Sequence, residues 1–134
     1  MAEAKGAKKI IRLKVSGAFH SSLMKEAKDG LRTKLASVLI KSPSSIFAPN
    51  ALGKGETNPD VIRNLLGEQL TSPVRWIETM QYARAQGIQR FIELGPGRVL
   101  KGLAKRIDPA LEVFSFEKIS DIETVESFFQ KASS

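Results

Sequence analysis

From Lys8 to Val15 apolar and charged side chains alternate, with Ile11, Leu13 and Val15 on one side and Arg12 and Lys14 on the other. This is the two-residue period of a half-buried strand. Past Gly17 the period changes. Leu23, Ala27, Leu31, Leu35, Val38 and Leu39 recur at spacings of three and four, which predicts one amphipathic helix over 21–41, stopped by Ser42-Pro43. The short apolar run Ser45 to Ala48 reads as a strand and leads into a loop of chain breakers: Pro49, Asn50, Gly53, Gly55, Asn58 and Pro59. Asn58 before Pro59 combines an N-cap with a proline at the first helical position, so a helix is predicted over 59–70 with Ile62, Leu65, Leu66 and Leu70 inward. Thr71-Ser72-Pro73 interrupts. A further helix over 74–86 offers Val74, Ile77, Met80, Tyr82 and Ala83 for packing, and Gly87 closes it as a left-handed cap.

Arg90 to Leu94 reads as a strand that runs into a Gly95-Pro96-Gly97 turn, and Val99, Leu100, Leu103, Ala104 and Ile107 then form a helical stripe. Glu112 to Phe116 is a last strand. Asp121 to Lys131 forms a terminal helix with Ile122, Val125, Phe128 and Phe129 inward. Strands alternating with helices across short glycine or proline turns predict an α/β fold, with helices layered around a mainly parallel sheet. A chain of 134 residues, 42% hydrophobic, has the material for one core.

Composition removes several chemistries. The chain has no cysteine, which excludes a disulfide framework, thiolate metal sites and a cysteine nucleophile. With one histidine, metal coordination falls to carboxylates, and none are spaced as a calcium loop, so no metal is expected. No apolar stretch approaches the roughly 20 residues of a membrane-spanning helix, and no secretory signal pattern opens the chain, so no membrane partner and a cytoplasmic location are expected, with an organelle left open. The net charge of +7 is uneven: residues 1–41 hold ten Lys/Arg against three acids, while the remainder is neutral. Such a basic segment attracts anionic partners at long range. It lacks the zinc ligands and aromatic motifs of nucleic-acid modules, so no nucleic acid is expected.

Two features carry candidate chemistry. Gly95-Pro96-Gly97 fits neither the phosphate-loop nor the dinucleotide pattern and reads as a tight strand-to-helix connection. His20, at the junction between the first strand and the first helix, is placed where a general base is useful. No G-x-S-x-G elbow accompanies it, since no serine lies two residues after any glycine.

Three blocks occur in the order seen in one family. They are Ser16-Gly17-Ala18-Phe19-His20-Ser21, then Glu68-Gln69-Leu70-Thr71-Ser72-Pro73-Val74-Arg75-Trp76, then Glu93-Leu94-Gly95-Pro96-Gly97-Arg98-Val99-Leu100 with Gly102-Leu103 and Lys105-Arg106-Ile107. From about Lys8 to Phe116 the chain resembles the C-terminal part of the catalytic domain of malonyl-CoA:acyl-carrier-protein transacylases. The resemblance implies an α/β-hydrolase-like acyltransferase core. It makes 1–134 a single partial domain, with 1–15 the last strand of a small ferredoxin-like subdomain and 16–134 the C-terminal part of the large one. It implies that His20 is the general base and that the main-chain carbonyl of Gln69 orients it, the arrangement of a nucleophile, a base and an orienting group. The implied substrates are malonyl-CoA and a phosphopantetheinyl acyl carrier protein, with no further cofactor.

The departures are specific. In the family, the GHSxG serine, a glutamine of the oxyanion hole and an arginine for the malonyl carboxylate all precede the matched region and have no counterpart in these 134 residues. Ser22 stands where a proline is common. The chain is therefore expected to be inactive alone, with a missing N-terminal half as a partner, and to leave sheet edges exposed when isolated. A non-catalytic module that binds the carrier or another acidic partner is the alternative reading, and a small basic nucleic-acid binder a weaker one.

Overall fold

Two short runs rich in aromatic and β-branched residues make two strands, β1 (Arg90–Leu94) and β2 (Glu112–Phe116), which pair in parallel with Phe91 opposite Val113 and Leu94 opposite Phe116. The computed structural model that shows this describes residues 3–10 and 17–130. Parallel neighbours need a crossover, and α4 (Val99–Ile107) supplies it. Side chains alternate across a strand, so Phe91 and Glu93 share a face with Val113 and Ser115. That face meets α3 (Trp76–Ala85) and α4: Met80, Ala104, Leu111 and Val113 form a buried cluster, with Trp76, Phe91 and Ile107 packed around it. On the opposite face α5 (Ile122–Gln130) sets Phe128 against Phe114, ring centroids 5.9 Å apart. The Arg90 guanidinium lies 5.6 Å from the Phe128 ring centre and donates to the Phe128 carbonyl at 2.9 Å. Helices, parallel sheet and helix make the α/β layering the hydrophobic pattern predicts.

A second unit pairs α1 (Lys25–Ala36) with α2 (Pro59–Glu68). The Asn58 side chain accepts from the N–H groups of Asp60 at 2.9 Å and Val61 at 3.3 Å, with Pro59 beginning the helix as expected. Gly87 closes α3 at φ 82°. Its N–H bonds to Arg84 O and that of Ile88 reaches back to Ala83 O, the paired bonds of a Schellman cap. The glycines of Gly95-Pro96-Gly97 take φ 125° and 92°, and Gly95 N–H bonds to Phe116 O, so the motif is the tight connection read from sequence.

Several expectations are corrected. The first helix does not run over 21–41: a 3-10 turn, Ser22–Met24, precedes α1, and α1 stops at Ala36. The Ser37 hydroxyl takes the Lys34 carbonyl, and Arg63 of α2 donates to the carbonyls of Leu35 and Val38, so polar groups end the helix before Ser42-Pro43. Val38 and Leu39 consequently lie outside it, Leu39 at 80% exposure. The strand at Ser45–Ala48 reduces to one antiparallel bridge, Phe47 to Glu56, because its partner comes from the same loop. Ile77 and Val99 are exposed rather than packed, and so are Ile122 and Phe129 of α5. Of the first predicted strand, Ile11–Val15 lies outside the described residues, and Lys8–Ile10 is in no strand. Among the described residues no helix is long and apolar enough to cross a membrane.

Glu93 is the one charged side chain among the described residues that is buried, and it has a structural use. Its carboxylate accepts from Leu100 N at 2.8 Å, Lys101 N at 3.1 Å and the Ser115 hydroxyl at 3.4 Å, which satisfies N–H groups left free at the start of α4. Burial pushes its pKa up, but the hydrogen bonds from Leu100, Lys101 and Ser115 together outweigh it and hold the carboxyl below the ordinary 4.5. A lowered folded-state value means that the stabilisation is complete above the ordinary value and is lost as the pH falls through the lowered one. Glu93→Gln is thus expected to be less stable than the unmodified chain at neutral pH, and the gap in urea midpoint to shrink as the pH falls below the ordinary 4.5. A gap independent of pH would show that the charge of Glu93 contributes nothing.

Candidate active site

The segment around His20 leaves Gly17 and turns sharply. His20 adopts φ 62°, the one non-glycine residue with positive φ among the described residues. This left-handed conformation costs a side chain about 1–2 kcal/mol, and such residues cluster at functional sites. Two hydrogen bonds offset the cost. The His20 N–H donates to Leu70 O at 3.0 Å, and its ring Nδ1 lies 2.8 Å from Gln69 O. Ser21 then locks the corner: its hydroxyl donates to Ala18 O at 2.7 Å and accepts from Leu23 N at 3.3 Å, capping the 3-10 turn.

The partner atoms are the leftover carbonyls at the C-terminal end of α2, where Gln69 is the cap residue. A carbonyl only accepts, so the contact places the ring proton on Nδ1 and leaves the Nε2 lone pair free. His20 is solvent-exposed, which keeps Nε2 reachable. Chemically, the pair can hold an imidazole in one tautomer and one orientation, ready to accept and return a proton.

The structure brings together the two residues singled out from sequence, from the first and second blocks. Within the second block, Arg75 N–H bonds to Asn50 O at 2.8 Å, and Trp76 opens α3 with its Nε1 buried and unpartnered among the described residues. The third block builds the β1–α4 connection. Beside it lies an open polar cavity of about 460 Å³ lined by Arg98, Lys101, Ser115 and Lys118 among others, separate from the histidine corner. Sequence reasoning missed the positive φ of His20, for which no local signal exists, and the Leu70 carbonyl. It also missed Glu93, whose only sign is a carboxylate on an inward strand position just before a helix without a capping side chain.

No family model matches the chain. The malonyl CoA-acyl carrier protein transacylase of Escherichia coli strain K12 is 44% identical over 105 residues, which cover 78% of this chain and 34% of that enzyme. The enzyme of the same name from Staphylococcus aureus is 36% identical over 118 residues, 88% of this chain and 38% of its own length. The crystal structure of an acyl-carrier-protein S-malonyltransferase from Burkholderia pseudomallei superposes with a TM-score of 0.81 at 42% identity, over 93% of this chain and 41% of that one. The chain spans little more than a third of the length of the curated relatives it matches. In sequence and fold it is a relative of the malonyl-CoA:acyl-carrier-protein transacylases and matches the C-terminal portion of that family.

Proposed function

We propose that the chain supplies the general base, His20, and its orienting carbonyl, Gln69 O, for transfer of malonyl from CoA to the thiol of an acyl carrier protein. The 2.8 Å contact between Nδ1 and Gln69 O carries the reading, because it leaves Nε2 as the proton acceptor. A serine from the remaining portion of the enzyme gives its hydroxyl proton to Nε2 as its oxygen attacks the thioester carbonyl. Collapse breaks the carbon–sulfur bond, and the proton passes to the departing CoA sulfur. In the second half the carrier thiol gives its proton to Nε2, sulfur attacks the acyl-serine ester, and the serine oxygen leaves with that proton. His20 ends each half unprotonated at Nε2.

The test is complementation. The chain alone, given malonyl-CoA and carrier, is expected to transfer nothing; mixed with the N-terminal portion of a relative that contains the GHSxG serine, it is expected to restore malonyl-carrier formation. A folded mixture with no activity would count against the reading. The ten basic residues among the first 41 favour a second reading, a module that docks an acidic carrier without catalysis. One similar structure, a malonyl-transacylase 38% identical to this chain, is a complex with its acyl-carrier protein. Carrier binding that weakens steeply with salt, in a chain that never complements activity, would support that reading.

A further inference from the structure

The helix that follows the histidine has no buried side chain. Within α1 only Lys28, Leu31 and Leu35 are even half-buried, so little apolar burial holds it in place. What holds it against α2 is charge. Lys28 Nζ donates to Glu68 Oε2 at 2.7 Å, with the Lys28 side chain only 17% exposed, and Arg32 Nη2 stands 3.7 Å from Glu68 Oε1. Buried Gly67 lets the Arg32 stem pass: a Cβ there would lie 2.8 Å from Arg32 Cγ. The Lys28 hydrogen bond holds the Glu68 carboxyl below the usual carboxylate range against the upward push of burial, with the charges of Lys28 and Arg32 adding to it. At the other end of α1, Arg63 donates to Val38 O at 2.7 Å.

The geometry places this clamp beside the proposed base. Glu68 is the last residue of α2 and Gln69, whose carbonyl meets the imidazole, is next. Lys28 and His20 are joined by one continuous turn and helix. A slip of α1 along α2 by about 1 Å would stretch the ring contact beyond hydrogen-bonding distance. We infer that Glu68, gripped by Lys28 and Arg32, is a positioning residue that fixes α1 on the end of α2 and thereby keeps the His20 imidazole on the Gln69 carbonyl. The inference deepens the reading of His20 as the base and rests on it for its purpose, while its test does not use activity.

His20 is the only histidine, so nitrogen-15 labelling of histidine gives the spectrum of one ring. In the unmodified chain the neutral ring is expected to carry its proton on Nδ1. Glu68→Gln, which keeps shape and removes charge, is expected to lose about half or more of that tautomer while far-ultraviolet circular dichroism stays unchanged. The charge swap Lys28→Glu with Glu68→Lys is expected to restore it. Unchanged tautomer populations in Glu68→Gln would overturn the proposal, as would a loss that the folded swap does not restore, since Glu68 would then act by packing alone. Should Glu68→Gln fail to fold, Lys28→Met is read in the same way, and an unchanged ring there overturns it. If the tautomer responds as expected but removing His20 leaves malonyl transfer untouched in the complemented enzyme, the clamp stands and the base assignment falls.

Discussion

Replacing His20 by alanine is expected to slow malonyl transfer by the complemented enzyme by about a thousandfold or more. The serine and the base act as one unit, so losing the acceptor for the serine proton removes most of what the pair contributes. The oxyanion donors and the bound thioester still supply a residual rate. Because the ring holds no part of malonyl-CoA in this scheme, kcat should fall while KM for malonyl-CoA changes little. The substitution also frees the left-handed corner of its ring contact with Gln69 O, so folding must be measured alongside the rate. An unchanged rate in a folded complex would refute the assignment. A loss confined to KM would recast His20 as a binding residue.

The largest stability effect belongs to Leu111→Ala. Leu111 is 2% exposed and packs with Met80, Ala104 and Val113 at the entry to β2. Removing its side chain costs the transfer of the lost atoms and the cavity left behind, together about 2–5 kcal/mol. Domains of this size are stable by about 5–15 kcal/mol in all, so the loss runs from roughly an eighth of the margin to all of it. Few alternatives share the load: Ile62, Met80, Ala104 and Val113 are the other buried apolar residues among those described. Urea unfolding should show the midpoint moving sharply down. By contrast, Ile119→Ala, at 82% exposure, should stay within about 0.5 kcal/mol. Equal effects from the two would mean that the cluster around Leu111 is not the folding core.

The parts of the fold legible in sequence are those where period and punctuation agree. Arg90–Leu94 and Glu112–Phe116 are short apolar-rich runs bounded by Gly87, the glycine-proline turn and Pro109, and both strands form over those residues. Asn58-Pro59 fixed the start of α2 because both the cap and the proline act locally. The first helix is shorter than its apolar stripe for the opposite reason. Its stripe continues through Val38 and Leu39, and what stops it is the Ser37 hydroxyl on the Lys34 carbonyl together with Arg63, a side chain 28 positions from Leu35 that no local pattern reveals. The spacing of Phe129 predicts an inward position, yet α5 turns Phe128 toward Phe114 and leaves its neighbour outside. At the candidate site, His20 drew attention by its chemistry and its place in the chain. Its meeting with Gln69, 49 positions away, came only from the order of the three blocks. The Glu68 clamp was invisible because an ion pair between helices depends on how they cross.

The backbone at position 20 has its own implication for variation. On conformational grounds alone a φ of 62° favours glycine over any residue with a side chain, so histidine there carries a backbone cost that glycine would not. Lineages in which proton transfer is no longer under selection should drift at this position toward residues that relax the turn, and gain stability as they do. Retention of histidine across diverged copies of this segment would record continued use of the ring, and its loss would date the point at which the scaffold outlived its chemistry.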